Sequence, residues 1–220
     1  MRTVADKWAK LKTLRRHPDI AVHVPDMRKY SDRNLHLMLE RYGLVVIKPL
    51  RGTGGSGVVK IERLPGGKYR YHHQFSIRTV SSFQALARRL RRIRGRRRYM
   101  VQQGIRLMQI GGRPVDYRVK MVKTPSGRWR ITAVVARVAR PGRFVTNLCR
   151  GGDLWSGSAA LRRLFPKNRA RLKKETMRGV ARTSTQWLEQ RFPGIGALGY
   201  DFGIDRRGTV WILEVNTRPH

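Results

Sequence analysis

Hydrophobic residues recur along this chain with two periods, one helical and one typical of strands. Apolar side chains spaced three or four residues apart, such as Phe83, Leu86 and Leu90, predict helices behind polar caps such as Ser31 and Ser82. The helices are predicted at 5–16, 32–42, 83–93 and 165–192. Alternating or β-branched runs predict strands at 44–48, 58–61, 99–105, 114–122 and 129–139, and one strand or two at 68–80. This mixed order of helices and antiparallel strands predicts an α+β fold.

The end of the chain predicts one more pair of strands, a terminal hairpin. Residues 199–204 and 209–215 are the two strand segments, and Arg206, Arg207 and Gly208 form the turn between them. Gly208 supplies the positive φ that such a turn needs.

Three oxygen-bearing side chains of this hairpin are candidate metal ligands. Glu214 and Asn216 share a face because they are two residues apart on one strand, and Asp201 can meet them from the partner strand. Two carboxylates and an amide, with no His or Cys nearby, are typical ligands of a hard cation such as Mg²⁺. Arg218 extends the same face and could hold an anion. The alternative is a surface hairpin that carries ordinary acids.

A glycine-rich segment suggests a second kind of site, one for phosphate. The strand ending at Lys48 is followed by Gly52, Gly54, Gly55 and Gly57, and then by another strand. Bare backbone N–H groups in such a turn can approach phosphates closely. The order differs from a Walker loop, where the lysine follows the glycines, and from a Rossmann turn, which opens onto a helix. The alternative is a flexible hairpin loop.

The charge of the chain adds polyanions to the expected partners. Lys and Arg outnumber Asp and Glu by 49 to 13, a net charge of +36. Such a field favours nucleic acid, an anionic polymer, a membrane surface or a nucleotide without selecting among them. The densest group of cations consists of Arg88, Arg89, Arg91, Arg92, Arg94, Arg96, Arg97 and Arg98. We interpret it as a polyanion contact, with a solvated charged helix face as the alternative.

Cysteine content and hydropathy limit the expected sites and the expected cellular location. The single cysteine, Cys149, excludes an internal disulfide and a multi-cysteine zinc site. No run approaches the ~18 apolar residues needed to cross a bilayer. The first ten residues lack the apolar region of a signal peptide. These features predict a cytoplasmic protein.

Taken together, these segments resemble the ATP-grasp fold, and most closely the YheC/YheD-type ATP-grasp proteins of spore-forming bacteria. The resemblance extends from about residue 5 to the end of the chain. The matching stretches are KWAKL at 7–11, YGLVVIKPLRGTGGSGV at 42–58, YMVQQGIRL at 99–107, RPVDYRVKM at 113–121, TNLCRGG at 146–152 and LGYDFGIDRRGTVWILEVNTRP at 198–219.

The resemblance implies two α+β lobes with antiparallel sheets that clamp ATP. Residues of about 30–103 would form the nucleotide-clamping lobe with the glycine-rich flap, and about 104–220 the catalytic lobe with the metal site. Implied ATP-binding residues are Lys48, Gly54, Gly55, Ser56, Gly57, Gln102, Gln103 and Ile105. Implied Mg²⁺ ligands are Asp201, Glu214 and Asn216, with Asp201 matching the family position better than Asp205. Arg118, Arg137 and Asn147 would face the transferred phosphate, and Arg150 and Arg218 the substrate.

The implied activity is an ATP- and Mg²⁺-dependent ligase. Such enzymes usually activate a carboxylate as an acyl phosphate and pass the acyl group to an amine or another nucleophile. The chain departs from the pattern in three ways: the usual preceding domain is expected to be absent, glutamines replace a hinge acid, and the charge exceeds what ATP binding requires. The excess charge suggests an acidic acceptor. The alternatives are a polyanion-binding or spore-coat-type structural protein on this scaffold, or an ATP-dependent kinase.

Overall fold

The computed structural model of the protein describes residues 2–52, 54–146 and 151–219. Two compact units divide the chain. The hairpin unit takes the described residues of 2–24, 106–141 and 145–219, and therefore includes the terminal hairpin. The glycine-loop unit takes those of 25–105 together with the short segment 142–144.

Helices and strands alternate irregularly along the chain, as the mixed pattern predicted. The helices are α1 (Lys7–Leu14), α2 (Pro18–Ala21), α3 (Asp32–Tyr42), α4 (Phe83–Arg94), α5 (Gly157–Leu164) and α6 (Lys167–Arg191), with a 3₁₀ turn at Pro65–Gly67. The strands are β1 (Met27–Lys29), β2 (Leu44–Pro49), β3 (Val59–Arg63), β4 (Tyr69–His73), β5 (Ser76–Val80), β6 (Tyr99–Gln103), β7 (Gln109–Ile110), β8 (Arg113–Lys123), β9 (Trp129–Val138), β10 (Asp153–Ser156), β11 (Ala197–Ile204) and β12 (Val210–Asn216).

The glycine-loop unit is an antiparallel sheet with helices on one face. Its strand order is β1-β6-β2-β3-β4-β5. Helices α3 and α4 pack on the face that carries Val45, Ile61 and Tyr71. The predicted caps start both helices, because Ser31 Oγ accepts from the Asn34 N–H at 3.0 Å and Ser82 caps α4 in the same way. Since side chains alternate along a strand, the opposite face of β2 and β6 carries Lys48 and Gln102.

The hairpin unit is a second antiparallel sheet, with the order β10-β9-β8-β11-β12 and β7 paired to β8. One face packs on α5 and α6 through fully buried side chains such as Tyr117 and Phe202. Tyr200 on this face shares a hydrogen bond of 2.9 Å with the Thr185 hydroxyl of α6. The other face carries the alternate residues of the same strands, which include the predicted metal ligands.

Several short elements were absent from the pattern-based prediction. The segment 68–80, predicted as one strand or two, forms two strands, β4 and β5, joined where Gln74 takes a φ of 56°. Residues 153–164 form β10 and α5, and β1 and α2 are also additions. Each of these elements is held by neighbours distant in sequence, as when Met27 of β1 pairs with Gln102 of β6.

The length and hydropathy of the helices bear on whether the chain could cross a membrane. Within the described ranges, no helix combines the length and the apolar character needed to cross a bilayer.

Candidate functional site

A row of charged side chains crosses the free face of the hairpin-unit sheet. Asp201 on β11 lies opposite Arg118 of β8 on one side and Glu214 of β12 on the other. Asp116 of β8 lies opposite Arg137 of β9. Directly opposed residues project from the same face, so these five side chains form one continuous group. We call it the ionic row.

Asp201 is the most heavily engaged acid of the ionic row. Arg118 binds it through two donors of its guanidinium, with Nε 2.8 Å from Oδ1 and Nη2 3.0 Å from Oδ2. Arg137 adds a contact of 3.1 Å from Nη2 to Oδ2. Burial by itself would raise the pKa of Asp201, but Arg137 and Arg118 hold that pKa below its ordinary value. Asp201 is therefore an ionised carboxylate fixed in orientation.

Arg137 is shared between two acids. It donates from Nε to Asp116 Oδ1 at 2.8 Å and from Nη2 to Asp116 Oδ2 at 2.5 Å. The Thr146 hydroxyl donates to Asp116 Oδ2 at 2.6 Å. All of these groups are buried. Asp116 thus orients Arg137 toward Asp201, and Thr146 fixes Asp116.

Glu214 is held from a different element, the first helix. Lys7 of α1 lies 2.9 Å from Glu214 Oε1 and is buried. Lys10, on the same side of α1 and also buried, donates to the Val4 carbonyl. Burial and the neighbouring charge of Lys7 lower the pKa of Lys10 to about 8, although Glu214 and Asp6 oppose this shift. Glu214 therefore carries a buried counterion from the start of the chain.

The donor set of the hairpin suits a hard cation. Asp201 and Glu214 face each other across the hairpin, and Asn216, two residues further, lies on the face of Glu214. Glu214 and Asn216 are partly exposed, so their oxygens are accessible. Within the described residues there is no group of three or more His, Cys, Asp or Glu side chains that could hold a metal. A cation at this place would therefore use the Asn216 amide oxygen as a third ligand, which is chemistry that Mg²⁺ accepts.

The other aspartate of the hairpin, Asp205, forms the turn. Its Oδ1 accepts from the backbone N–H groups of Arg207 and Thr209, each at 2.9 Å, and its Oδ2 accepts from Trp211 Nε1 at 2.9 Å. Gly208 takes the predicted positive φ, at 84°. Asp205 therefore serves the turn, whereas Asp201 lies directly opposite Glu214 on the neighbouring strand, which makes Asp201 the better candidate ligand.

Lys48 and the glycines lie in the glycine-loop unit. Lys48 is buried near the end of β2, on the face away from α3 and α4. Gly54, Gly55 and Gly57 all take positive φ, between 65° and 74°, and Ser56 between them is exposed. A Cβ at position 57 would lie 2.5 Å from the Tyr99 hydroxyl. This segment therefore depends on glycine for both its conformation and its packing.

The two glutamines of β6 differ in their partners. Gln102 is buried, and in the part of the chain that the structure describes its Nε2 has no hydrogen-bond partner. Gln103 Oε1 accepts from the Asp26 N–H at 3.2 Å, so its side chain is used within the unit. Ile105 is partly exposed. An unpaired buried donor costs free energy unless a ligand forms the missing hydrogen bond. Gln102 is therefore the better candidate of the two for a side-chain contact with a ligand.

The remaining predicted site residues lie partly outside the described part of the chain. Asn147 and Arg150 lie outside the described residues, next to Thr146, which is described and buried. Arg218 is exposed at the end of the hairpin. Within the hairpin unit the structure brings together Arg118, Arg137, Asp201, Glu214 and Asn216.

Sequence reasoning missed Lys7, Asp116 and Thr146 as members of this group. A signal for Asp116 was present, since it shares a strand face with Arg118. Lys7 and Lys10 are three residues apart on a predicted helix, which places them on one side of it. Neither spacing reveals that Lys7 pairs with Glu214 or that Asp116 pairs with Arg137.

Comparison with known proteins identifies the family. The model described as "YheC/D like ATP-grasp" matches residues 2–220. The endospore coat-associated protein YheD of Bacillus subtilis is 28% identical over 228 residues, which cover 99% of this chain and 49% of that protein. The chain thus spans about half the length of this curated relative.

Solved structures with low sequence identity show the same fold. N5-carboxyaminoimidazole synthase from Aspergillus clavatus, in complex with ADP and 5-aminoimidazole ribonucleotide, matches with a TM-score of 0.60 and 14% identity over 100% of this chain and 46% of that one. D-cycloserine synthetase DcsG matches with a TM-score of 0.60 and 13% identity over 97% of this chain and 62% of that one. The chain has the ATP-grasp fold, as the motifs predicted.

Proposed function

Because the chain belongs to the YheC/D-like ATP-grasp family, we propose that it is an ATP- and Mg²⁺-dependent ligase. It would activate a carboxylate as an acyl phosphate and join the acyl group to an amine or a similar nucleophile. The observation that carries the proposal is the ionic row, which sets Asp201 and Glu214 opposite each other beside two arginines. The neighbours of similar fold include a synthase in complex with ADP and a synthetase.

In the glycine-loop unit, the proposal assigns phosphate and base contacts. Lys48 would bind the α- and β-phosphates, and the backbone of residues 54–57 would cover the phosphates. The buried Nε2 of Gln102 would donate to an acceptor nitrogen of adenine, which satisfies its missing hydrogen bond. Gln103 would add a backbone contact, because its side chain already serves Asp26, and Ile105 would pack on the ring.

In the hairpin unit, Asp201, Glu214 and Asn216 would hold Mg²⁺. When bound, the cation neutralises charge on the β- and γ-phosphates and orients them. Arg118 uses Nε and Nη2 on Asp201 and keeps its Nη1 donors for the transferred phosphoryl group. Arg137, which also contacts Asp201 Oδ2, would stabilise the same charge.

The substrate contacts belong to the neighbourhood of the ionic row. Asn147 would contact the transferred phosphate, while Arg150 and Arg218 would bind the substrate. These two arginines and the excess positive charge suit an acidic acceptor. We place the reaction in the cytoplasm.

The chemistry proceeds in two balanced steps. A carboxylate oxygen of the substrate attacks the γ-phosphorus, the bond to the β–γ bridging oxygen breaks, and ADP leaves with that electron pair. The amine nitrogen then attacks the acyl carbon, phosphate leaves, and the nitrogen loses a proton. Phosphoryl transfer needs positioning and charge stabilisation rather than a protein nucleophile. The arginines, Lys48 and the backbone N–H groups would provide that positioning and stabilisation.

A screen for ADP release tests this proposal. Acidic small molecules, amino acids and peptides are offered as carboxylate and amine, and the product mass is measured. We expect ADP release that requires the acceptor and a mass gain that matches condensation. Glu214→Ala and Lys48→Ala should abolish turnover, whereas Glu175→Ala and Lys68→Ala, which change exposed side chains elsewhere, should retain it.

Three outcomes would contradict the ligase. Release of AMP and pyrophosphate excludes an acyl phosphate route. Full activity of both Glu214→Ala and Lys48→Ala excludes the assigned site. A stable phosphoester product identifies a kinase instead, an alternative that the shared nucleotide chemistry leaves open until product mass is known.

A further inference from the structure

The outward face of α4 carries arginines that the ligase reaction does not use. Leu86 and Leu90 of this helix are fully buried, which turns the remaining side of the helix outward. The exposed arginines are Arg88, Arg89, Arg91 and Arg92 on the helix and Arg96 and Arg98 in the segment that follows. We call these six residues the arginine face.

Two arginines of the same run have structural roles instead. The Arg94 guanidinium lies over the Tyr30 ring, 3.8 Å from its centroid. Arg97 donates to the Ile93 carbonyl at 3.4 Å and lies over Tyr99. These two arginines therefore have contacts within the unit, although Arg97 is also exposed.

Within the described ranges, the arginine face has no acidic counterion. No Asp or Glu occurs between Glu62 and Asp116 in the sequence. The acids of this unit are engaged elsewhere, as Glu40 is with Arg63 at 3.0 Å and Asp32 with Tyr30 at 3.0 Å. Among the described residues, none of the six exposed arginines forms an ion pair with an acid. Their mutual repulsion is therefore relieved only by solvent ions or by an anionic partner.

We propose that the arginine face binds the phosphate backbone of double-stranded nucleic acid, without reading its sequence. The guanidinium fork matches phosphate oxygens, and the whole face consists of arginine with no lysine. No exposed aromatic side chain accompanies the arginines of α4, so the face lacks the stacking platform of single-strand binders. This activity is independent of the proposed ligase reaction.

Charge density favours a duplex over an acidic polypeptide. A duplex carries about one charge per 1.7 Å of axis together with condensed counterions, and their release drives binding. Exposed pairs between single arginines and carboxylates contribute little free energy each. Six closely spaced cations without specific partners therefore gain most from the densest polyanion.

Fluorescence anisotropy with a labelled duplex of about 20 base pairs tests the proposal, over KCl from about 50 to 200 mM. The variant Arg88→Gln/Arg89→Gln/Arg91→Gln/Arg92→Gln keeps good helix formers on α4. We expect at least about a tenfold loss of affinity, and a log–log salt slope shallower by about 3 to 4. The matched control, Arg162→Gln/Arg163→Gln/Arg169→Gln/Arg171→Gln, removes the same charge from exposed positions of α5 and α6 and should bind nearly as well as the wild type.

Two further variants, Arg88→Gln/Arg92→Gln and Arg89→Gln/Arg91→Gln, give a result even if the quadruple variant misfolds. Circular dichroism and thermal unfolding establish that each variant is folded. Equal losses in the α4 and control variants would overturn the proposal, because net charge alone would explain binding. So would better competition by polyglutamate, by anionic vesicles or by single-stranded DNA than by unlabelled duplex at equal charge.

Discussion

At the scale of single residues, the buried ions of the hairpin unit depend on one another. Arg137 neutralises both Asp116 and Asp201, and Arg118 completes the group. Removing one member of a buried ion pair leaves an uncompensated charge, which typically costs about 3–5 kcal/mol. The same dependence fixes the carboxylate of Asp201 in one orientation. Stability and the geometry of the proposed metal site are therefore linked.

Lys10 provides a pH-dependent test of this region. Its pKa falls to about 8 in the folded protein, so above that pH the unfolded chain holds more protons than the folded one. Stability should then rise with pH. From pH about 8 to about 9.5 the gain from Lys10 should be about 1.5 kcal/mol, at about 1.36 kcal/mol per unit of pKa shift. Urea unfolding of the wild type and of Lys10→Met across this range measures the contribution.

The quantity to compare between variants is the slope of the free energy of unfolding against pH, rather than its absolute value. Lys10→Met should lose the rise that belongs to this lysine, while Lys12→Met, which changes an exposed lysine of the same helix, should keep it. Parallel pH profiles for the wild type and Lys10→Met would show that the folded-state pKa of Lys10 is not lowered.

At the scale of elements, α6 contains a glycine where none is required. Gly179 lies within this helix, and a Cβ there would have no heavy atom within 4 Å. Alanine in a helix interior is more stable than glycine by about 0.5–1 kcal/mol. We expect Gly179→Ala to raise the free energy of unfolding by about this amount, measured by urea denaturation.

Gly157→Ala is the contrasting substitution in a neighbouring helix. A Cβ at position 157 would lie 2.8 Å from the Val134 carbonyl oxygen of β9. The helix and strand would have to separate, so this change should destabilise the protein by about 1–3 kcal/mol. A stabilising effect at position 157, or a loss at position 179, would contradict the packing described for α5 and α6.

At the scale of the whole molecule, the net charge of +36 opposes folding. Among the described residues, twelve of the thirteen acids contact a cation or a hydrogen-bond donor through the side chain, and Asp19 is the exception. Most of the 49 basic residues have no acid to pair with. Repulsion among like charges destabilises a compact chain, and salt screens it.

Salt should therefore stabilise the protein. The screening length falls from about 30 Å at 0.01 M to about 8 Å at 0.15 M ionic strength. We expect the midpoint of thermal unfolding to rise by several degrees over this range of KCl. The α4 quadruple glutamine variant should show a smaller rise, since it carries less excess charge. A midpoint that falls with KCl would show that attractive ion pairs outweigh repulsion.

Local features of the sequence predicted much of the fold. Ser31 and Ser82 marked the starts of α3 and α4, and the strands β2, β3, β6, β8 and β9 lie within a few residues of their predicted bounds. Capping and alternation act between residues close in sequence, so they can be read from the chain. The elements that were missed, such as β1 and β10, are three or four residues long and are held by distant strands.

The sequence by itself determined the family, the fold class and the terminal hairpin with its Gly208 turn. It also placed Asp201, Glu214 and Asn216 on that hairpin, and Lys48 before the glycines. Only the tertiary structure decided that Lys7 meets Glu214 and that Arg137 joins Asp116 to Asp201. Those contacts depend on strand register and helix docking across long separations, as Arg118 and Asp201 are 83 residues apart. A turn fixes the register of a local hairpin, but the register between strands that are distant in sequence depends on which faces the whole sheet buries.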